Sequence, residues 1–151
     1  MKKLLLVAAA VALSNTASAD AWWPFDAGNK AATFLNLETK KCESNVCTLW
    51  IGEVNIDKEK PYDTALYLAE FKCKSGEIRQ LAGSRYLKGQ HLRSNRYEDT
   101  WSYVTPGSLG YELMEYACGF KKPPEKTHVF DKPLFKIAPM LQDVLRESQK
   151  R

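Results

Sequence analysis

Four cysteines constrain the fold of this 151-residue chain more than any other feature, and two of them, Cys73 and Cys118, lie at opposite ends of one segment. That segment begins with the alternation of a strand and ends with the periodicity of a helix, so a bond between the two sulfurs would fasten a helix to a sheet. Four cysteines allow three pairings. We favour Cys42 with Cys47 and Cys73 with Cys118, because residues 43–46 form a connection of turn length.

The start of the chain predicts export. Lys2 and Lys3 precede an apolar stretch at residues 4–13, and small residues at 17–19 suit a signal peptidase, so we predict a cleaved signal peptide over residues 1–19. The apolar stretch is about half of the roughly 20 residues that a spanning helix needs, and we expect no transmembrane segment. No cysteine near the cleavage site offers a point for lipid attachment. We expect a protein of the periplasm or the cell surface of a Gram-negative bacterium, where disulfides persist.

Catalytic and metal chemistry find no support in the sequence. Zinc would need Cys-x-x-Cys pairs or nearby histidines, and His91 and His128 do not complete such a set. Ser84 and Ser108 lack a recognisable activating base. No spacing singles out a pair of carboxylates, and no glycine loop for phosphate is present. We therefore expect no enzyme, no cofactor and no metal.

Basic residues cluster in one part of the chain although the overall charge is small. The 22 basic and 18 acidic residues give +4, and loss of Lys2 and Lys3 with the signal would leave +2, which argues against a nucleic-acid partner. The clustered residues, interleaved with Tyr86 and Tyr97, are Arg79, Arg85, Lys88, His91, Arg93 and Arg96. Such a cluster suits sulfated glycans or acidic protein surfaces. A solvated strand and loop is the alternative interpretation.

The middle of the chain predicts strands. Alternating apolar residues occur at 33–39, 48–56, 62–73 and 77–87, and residues 101–104 fit a shorter strand. In the third run Ala65, Tyr67, Ala69, Phe71 and Cys73 share one face, with Leu66 and Leu68 on the other, which indicates a central strand partly covered on both sides. Gly83 suggests a bulge or a bend in the fourth run. Residues 88–100 give no clear regular structure.

Two helices are predicted after the strands. Ser108 is the expected N-cap of the first, and its apolar stripe contains Leu109, Leu113, Met114, Ala117 and Cys118. The proline spacing from residue 121 to Pro139 predicts an extended tail. A last helix of about ten residues then follows, with Met140, Leu141, Val144 and Leu145 as a narrow apolar stripe. That helix would dock on its own domain, pair with another subunit or bind a partner.

The domain organisation follows from these segments. Residues 20–30 form an N-terminal extension rich in aromatics, in which Trp22, Trp23 and Phe25 either cap an edge of the core or contact a partner or membrane interface. Residues 31–120 form one sheet-and-helix domain, and residues 121–151 a proline-rich tail with a short helix. We predict an α+β fold in which an antiparallel meander of about four to six strands is covered by a disulfide-tethered helix near the C-terminal end of the domain.

An ordered set of short motifs resembles the bacterial surface-adhesin protein E family. The set covers about two thirds of the exported chain, and its members are Trp50, Pro61-Tyr62, Leu68 to Cys73, Arg79, Leu81, Tyr86, Gly89, Trp101, Val104, Pro106-Gly107-Ser108 and Ala117-Cys118. The resemblance implies an antiparallel sheet with a C-terminal helix fastened to it by a disulfide, and Cys73 and Cys118 match those two positions.

The resemblance also implies a function in binding. The family's named member is an outer-membrane lipoprotein that binds host matrix and plasma proteins, whereas this chain has no lipidation cysteine. We therefore expect an exported, non-enzymatic protein that binds such proteins or other envelope components, with Arg79, Arg85, Lys88, Arg93 and Arg96 as its candidate ligand surface. The alternative is a soluble periplasmic structural or accessory domain with no host ligand.

Overall fold

A computed structural model describes residues 21–57, 59–97, 100–125, 129–148 and 150. The predicted signal peptide and His128 lie outside these residues. None of the helices in the described ranges is long and apolar enough to cross a membrane.

One antiparallel sheet forms the body of the molecule. Its strands follow one another in chain order as a meander, except that the last, very short strand pairs with β5 beyond the end of β6. The described strands are β1 (Trp23–Ala27), β2 (Ala31–Glu43), β3 (Val46–Asn55), β4 (Thr64–Lys72), β5 (Glu77–Leu87), β6 (Gln90–Arg96) and β7 (Ser102–Tyr103). The predicted α+β meander is confirmed.

Each face of the sheet is covered by a helix. Alternate residues of a strand point to opposite faces, and in β3 Leu49 and Ile51 join one core cluster while Val54 joins another. Helix α1 (Leu109–Ala117) packs on the first face, and helix α2 (Leu134–Ser148) packs on the second. The prediction that the 62–73 strand is central and covered on both sides is therefore confirmed.

Helix α1 begins as the sequence predicts and is tied to the sheet. The Ser108 hydroxyl accepts a hydrogen bond from the Tyr111 backbone N–H, which satisfies one of the free donors of the first turn. Leu113, Met114 and Ala117 are buried, but Leu109 is 46% exposed and does not belong to the packed stripe. The disulfide between Cys73 and Cys118 fastens the end of this helix to the end of β4, and a second disulfide joins Cys42 and Cys47 across the β2–β3 hairpin.

Helix α2 is longer than the sequence suggests. It starts at Leu134 rather than near Met140, so residues 134–138, the last part of the predicted extended tail, are helical. Pro139 has no N–H to donate to the carbonyl four residues earlier, a loss that normally ends a helix. Tertiary packing compensates, because Leu134, Ala138 and Leu141 are buried against the sheet. Met140 and Val144 of the predicted stripe are instead exposed.

The aromatic extension contributes an edge strand. Trp23 starts β1, which pairs with β2, and the backbone of Trp22 exchanges hydrogen bonds with Phe130. Trp22 and Trp23 are both buried, one in the cluster beneath α2 and the other in the cluster beneath α1. These two residues therefore pack at the edge of both cores, in agreement with the first of the two interpretations.

Gly83 does not form the bulge that was predicted for it. Leu68 and Ala69 face Ala82 and Gln80, so the extra residue of β5 is Leu81. Gly83 is instead a point of close approach, because a Cβ atom there would lie 2.9 Å from the Tyr97 ring. The missing side chain makes room for an aromatic ring on the first face of the sheet.

Candidate binding surface

The β5–β6 hairpin forms one end of the strand order and meets α2 at Tyr86, where the Phe135 ring stacks on the tyrosine ring with centroids 4.3 Å apart. Most of the packing of α2 is on β3 and β4, and that of α1 is on β3. All seven residues of β6 are exposed. Within the described ranges β6 pairs with β5 alone, and its outer edge is an open strand edge.

Four of the predicted basic residues lie on this hairpin. Arg85 of β5 and Arg93 of β6 are direct cross-strand neighbours, and Arg96 lies opposite Ala82. Because residues alternate along a strand, Arg96 points to the other face of the sheet from Arg85 and Arg93. Lys88 occupies the turn between the two strands. We call the set Arg85, Lys88, Arg93 and Arg96 the basic hairpin.

The basic hairpin carries four positive charges. None of its four cations forms an ion pair with any residue that the structure describes. Like charges placed directly opposite each other destabilise a strand pair, so Arg85 and Arg93 carry an energetic cost. The Arg85 guanidinium lies 4.6 Å from the centre of the Tyr62 ring, a cation–π contact that fixes its position without neutralising it.

The backbone of the turn is held in place independently of these charges. Lys88 adopts a left-handed backbone conformation with φ of 50°, and its N–H donates a 2.6 Å hydrogen bond to the Asp63 carboxylate. His91 shares a 2.8 Å hydrogen bond with the Ser94 hydroxyl and packs edge-on against Tyr86. These contacts give the hairpin tip a defined shape.

Arg79, the fifth predicted ligand residue, lies elsewhere and is engaged by the fold. It forms an ion pair with Glu70, and its guanidinium lies 4.4 Å from the centre of the Trp101 ring. Lys72 approaches the same ring at 4.0 Å. The structure therefore places four of the five residues on one hairpin, with Arg96 on the opposite face from Arg85 and Arg93, and places Arg79 in a separate cluster that braces the loop before β7.

A groove lies on the face of the sheet on which α2 packs, where the helix leaves part of the sheet uncovered. This groove has a volume of about 660 Å³. Its floor is largely apolar and includes Trp50, Leu66, Leu68 and Tyr86, with Glu38 and Lys41 among the polar residues at its rim. Sequence reasoning missed the groove because it exists only where the start of α2 stops short of β2. Alternation in β4 placed Leu66 and Leu68 on one face but did not show that the face was partly open.

One tyrosine and one group of cysteine sulfurs have unusual surroundings, and the fold accounts for both. Burial, aided by the negative charge of Glu53, raises the pKa of the Tyr67 phenol above its ordinary value. The sulfurs of Cys47, Cys73 and Cys118 are the only grouping of three or more possible metal ligands found in the described part of the chain. All three sulfurs are bonded in disulfides rather than present as the thiolates that metals bind.

Comparison with known proteins identifies a family for this chain. No curated protein and no solved structure matches the chain. The family model described as surface-adhesin protein E matches residues 22–119, more than half of the chain. The match runs from the start of β1 to the residue after Cys118 and leaves α2 outside. The chain belongs to the surface-adhesin protein E family.

Proposed function

We propose that this protein is an exported, non-enzymatic binding protein whose basic hairpin captures an acidic segment of a protein partner. Membership of an adhesin family supports a role in protein binding. The partner would be a host matrix or plasma protein, or another component of the cell envelope. The ligand surface is the outer edge of β6 rather than the groove, because all seven residues of β6 are exposed.

The observation that carries this proposal is the cross-strand pair of Arg85 and Arg93. A folded hairpin that keeps two arginines at directly opposed positions, neither with an ion-pair partner in the described chain, gains stability when an acidic group arrives. Carboxylates form strong charge-assisted hydrogen bonds with arginine. An extended acidic segment along the β6 edge would meet Arg93 on one face and Arg96 on the other.

The test is binding of the purified protein to immobilised matrix and plasma proteins, with envelope proteins as a second panel. Arg85→Glu combined with Arg93→Glu should weaken binding. Each lost charge-assisted hydrogen bond contributes about 1.5–3 kcal/mol, so the double variant should lose at least about ten-fold in affinity. Binding to the native protein should also decrease steeply as salt is raised.

The matched control combines Lys122→Glu with Lys136→Glu, which makes the same total change of charge at two exposed positions outside the basic hairpin. It should leave affinity unchanged. Equal loss of affinity in the control and in the arginine double variant would show that the effect depends only on net charge. Absence of binding to both panels would favour the accessory domain, in which the exposed cations only discourage edge-to-edge association of sheets. Retention on heparin alone, with no protein bound, would replace the acidic protein by a sulfated glycan.

A further inference from the structure

The two disulfides lie side by side. The Cys47 sulfur, bonded to Cys42, is 3.7 Å from the Cys73 sulfur, which is bonded to Cys118. The sulfurs of Cys47, Cys73 and Cys118 all lie within 4.8 Å of one another. Sulfur atoms of two separate disulfides are therefore almost in contact at the point where β3, β4 and the end of α1 meet.

The four sulfurs differ in access to solvent. Cys42 is exposed on the hairpin, whereas Cys47 is only 4% exposed and lies on the core side. Both disulfides line one open pocket, together with Lys74, whose positive charge favours a thiolate over a thiol. A thiol arriving from solvent meets Cys42 first. Attack on the Cys42 sulfur breaks its bond to Cys47, so the sulfur expelled is that of Cys47.

We propose that these disulfides form an exchange relay. An external thiol opens the hairpin disulfide, and the thiolate that is released then opens the disulfide that tethers α1. The external thiolate attacks Cys42, forms a mixed disulfide with it, and expels Cys47 as a thiolate. The Cys47 thiolate then attacks Cys73, forming a bond between Cys47 and Cys73 and expelling Cys118 as a thiolate that takes a proton from water. Each step exchanges one sulfur–sulfur bond for another. Two such bonds remain after both steps, so no oxidant or reductant besides the incoming thiol is needed.

The product pairing fits the strands. Cys47 lies opposite Phe71, and Cys73 is two residues further along on the same face, so the new bond would link neighbouring strands. Attack requires the nucleophile in line with the bond that breaks. The Cys47 and Cys118 sulfurs lie within 4.8 Å of each other, so the three sulfurs form a bent arrangement, and the Cys47 side chain must rotate after its bond to Cys42 is lost. The sheet would keep a disulfide while α1 would lose its covalent tether. The relay thus makes attachment of α1 responsive to exported thiols or dithiol oxidoreductases.

The first test compares two single variants of the full exported chain. Cys42→Ser leaves Cys47 as a free thiol beside Cys73, and we expect disulfide mapping after an acid quench and alkylation to show a bond between Cys47 and Cys73 with Cys118 alkylated. Cys47→Ser leaves Cys42 free instead, outside the group of three close sulfurs. That control should keep the bond between Cys73 and Cys118. The relay is overturned if both variants retain it.

The second test needs no substitution and stands even where a variant does not fold. The native protein is treated with less than one equivalent of dithiothreitol, quenched at intervals and mapped. The relay predicts that a peptide joining Cys47 to Cys73 appears together with alkylated Cys118. Alkylation of Cys42 and Cys47 alone, with the Cys118 bond intact throughout, would show two independent disulfides and contradict the proposal.

Discussion

A single missing side chain sets how closely α2 approaches the sheet. Gly52 lies in the middle of β3, and a Cβ atom built on it would overlap the Leu134 side chain and lie 3.0 Å from the Trp22 ring. Leu134 is fully buried, so relief of this overlap would require its side chain to shift from its packed position. A glycine inside a strand normally weakens it. Here the cost is offset because the glycine admits the first turn of the helix.

Gly52→Ala should therefore destabilise the protein. Overpacking of a tight core costs about 1–3 kcal/mol, and we expect a loss of that size in urea unfolding. Gly28→Ala is the matched control, because its Cβ would make only an ordinary 3.5 Å contact with the Ala31 carbonyl. The control should change stability by less than about 0.5 kcal/mol. Equal effects of the two substitutions would show that α2 does not pack closely at β3.

At the scale of elements, α2 is attached by buried apolar residues and by polar contacts to the end of β3. Its Gln142 amide donates to the backbone carbonyl of Asn55, and Arg146 donates to that of Ile56. These bonds use carbonyls where the chain leaves the β3–β4 ladder. An isolated helix of 15 residues is marginal in water, so its stability depends on this docking.

Two alanine substitutions on the same helix measure that docking. Leu134→Ala removes a fully buried side chain and should cost about 2–5 kcal/mol, whereas Met140→Ala changes a residue that is 55% exposed and should cost less than about 0.5 kcal/mol. Combining Leu134→Ala with Gly52→Ala should cost less than the sum of the two, because the smaller side chain relieves the overlap. Additive effects in chemical unfolding would contradict contact between these residues.

Sequence patterns predicted the elements whose signals are local. The β2–β3 hairpin, the two-sided pattern of β4 and the Ser108 cap depend on neighbours a few residues apart. The start of α2 was missed because proline spacing argued for extended chain, and only contact between Leu134 and β3 decides otherwise. The sequence also did not show that Arg79 lies apart from the other basic residues, because Glu70 and Trp101 are brought to Arg79 by the sheet register.

At the scale of the whole molecule, the described chain has a helix on each face of the sheet and an exposed terminal strand, β6, and these parts have different tasks. Helix α1 lies inside the region matched by the family, and its disulfide closes the first core. Helix α2 lies outside that region and closes most of the second core. Helix α2 contacts the hairpin at Tyr86 of β5, whereas the outer edge of β6 pairs with no other described strand, so a partner can bind at that edge without displacing either helix. Binding at this edge and folding of the domain are therefore separable, which makes charge variants of the hairpin informative.

Exposure of the domain on the cell is the property on which an adhesin role depends. A host protein can reach the β6 edge only if the domain lies outside the outer membrane. We expect proteinase K to digest the protein on intact cells that produce the full chain, with a periplasmic protein left uncut as the control for membrane integrity. Opening the outer membrane should then add little further digestion. Protection on intact cells followed by digestion after opening would restrict the basic hairpin to partners within the envelope, because no matrix or plasma protein could reach it.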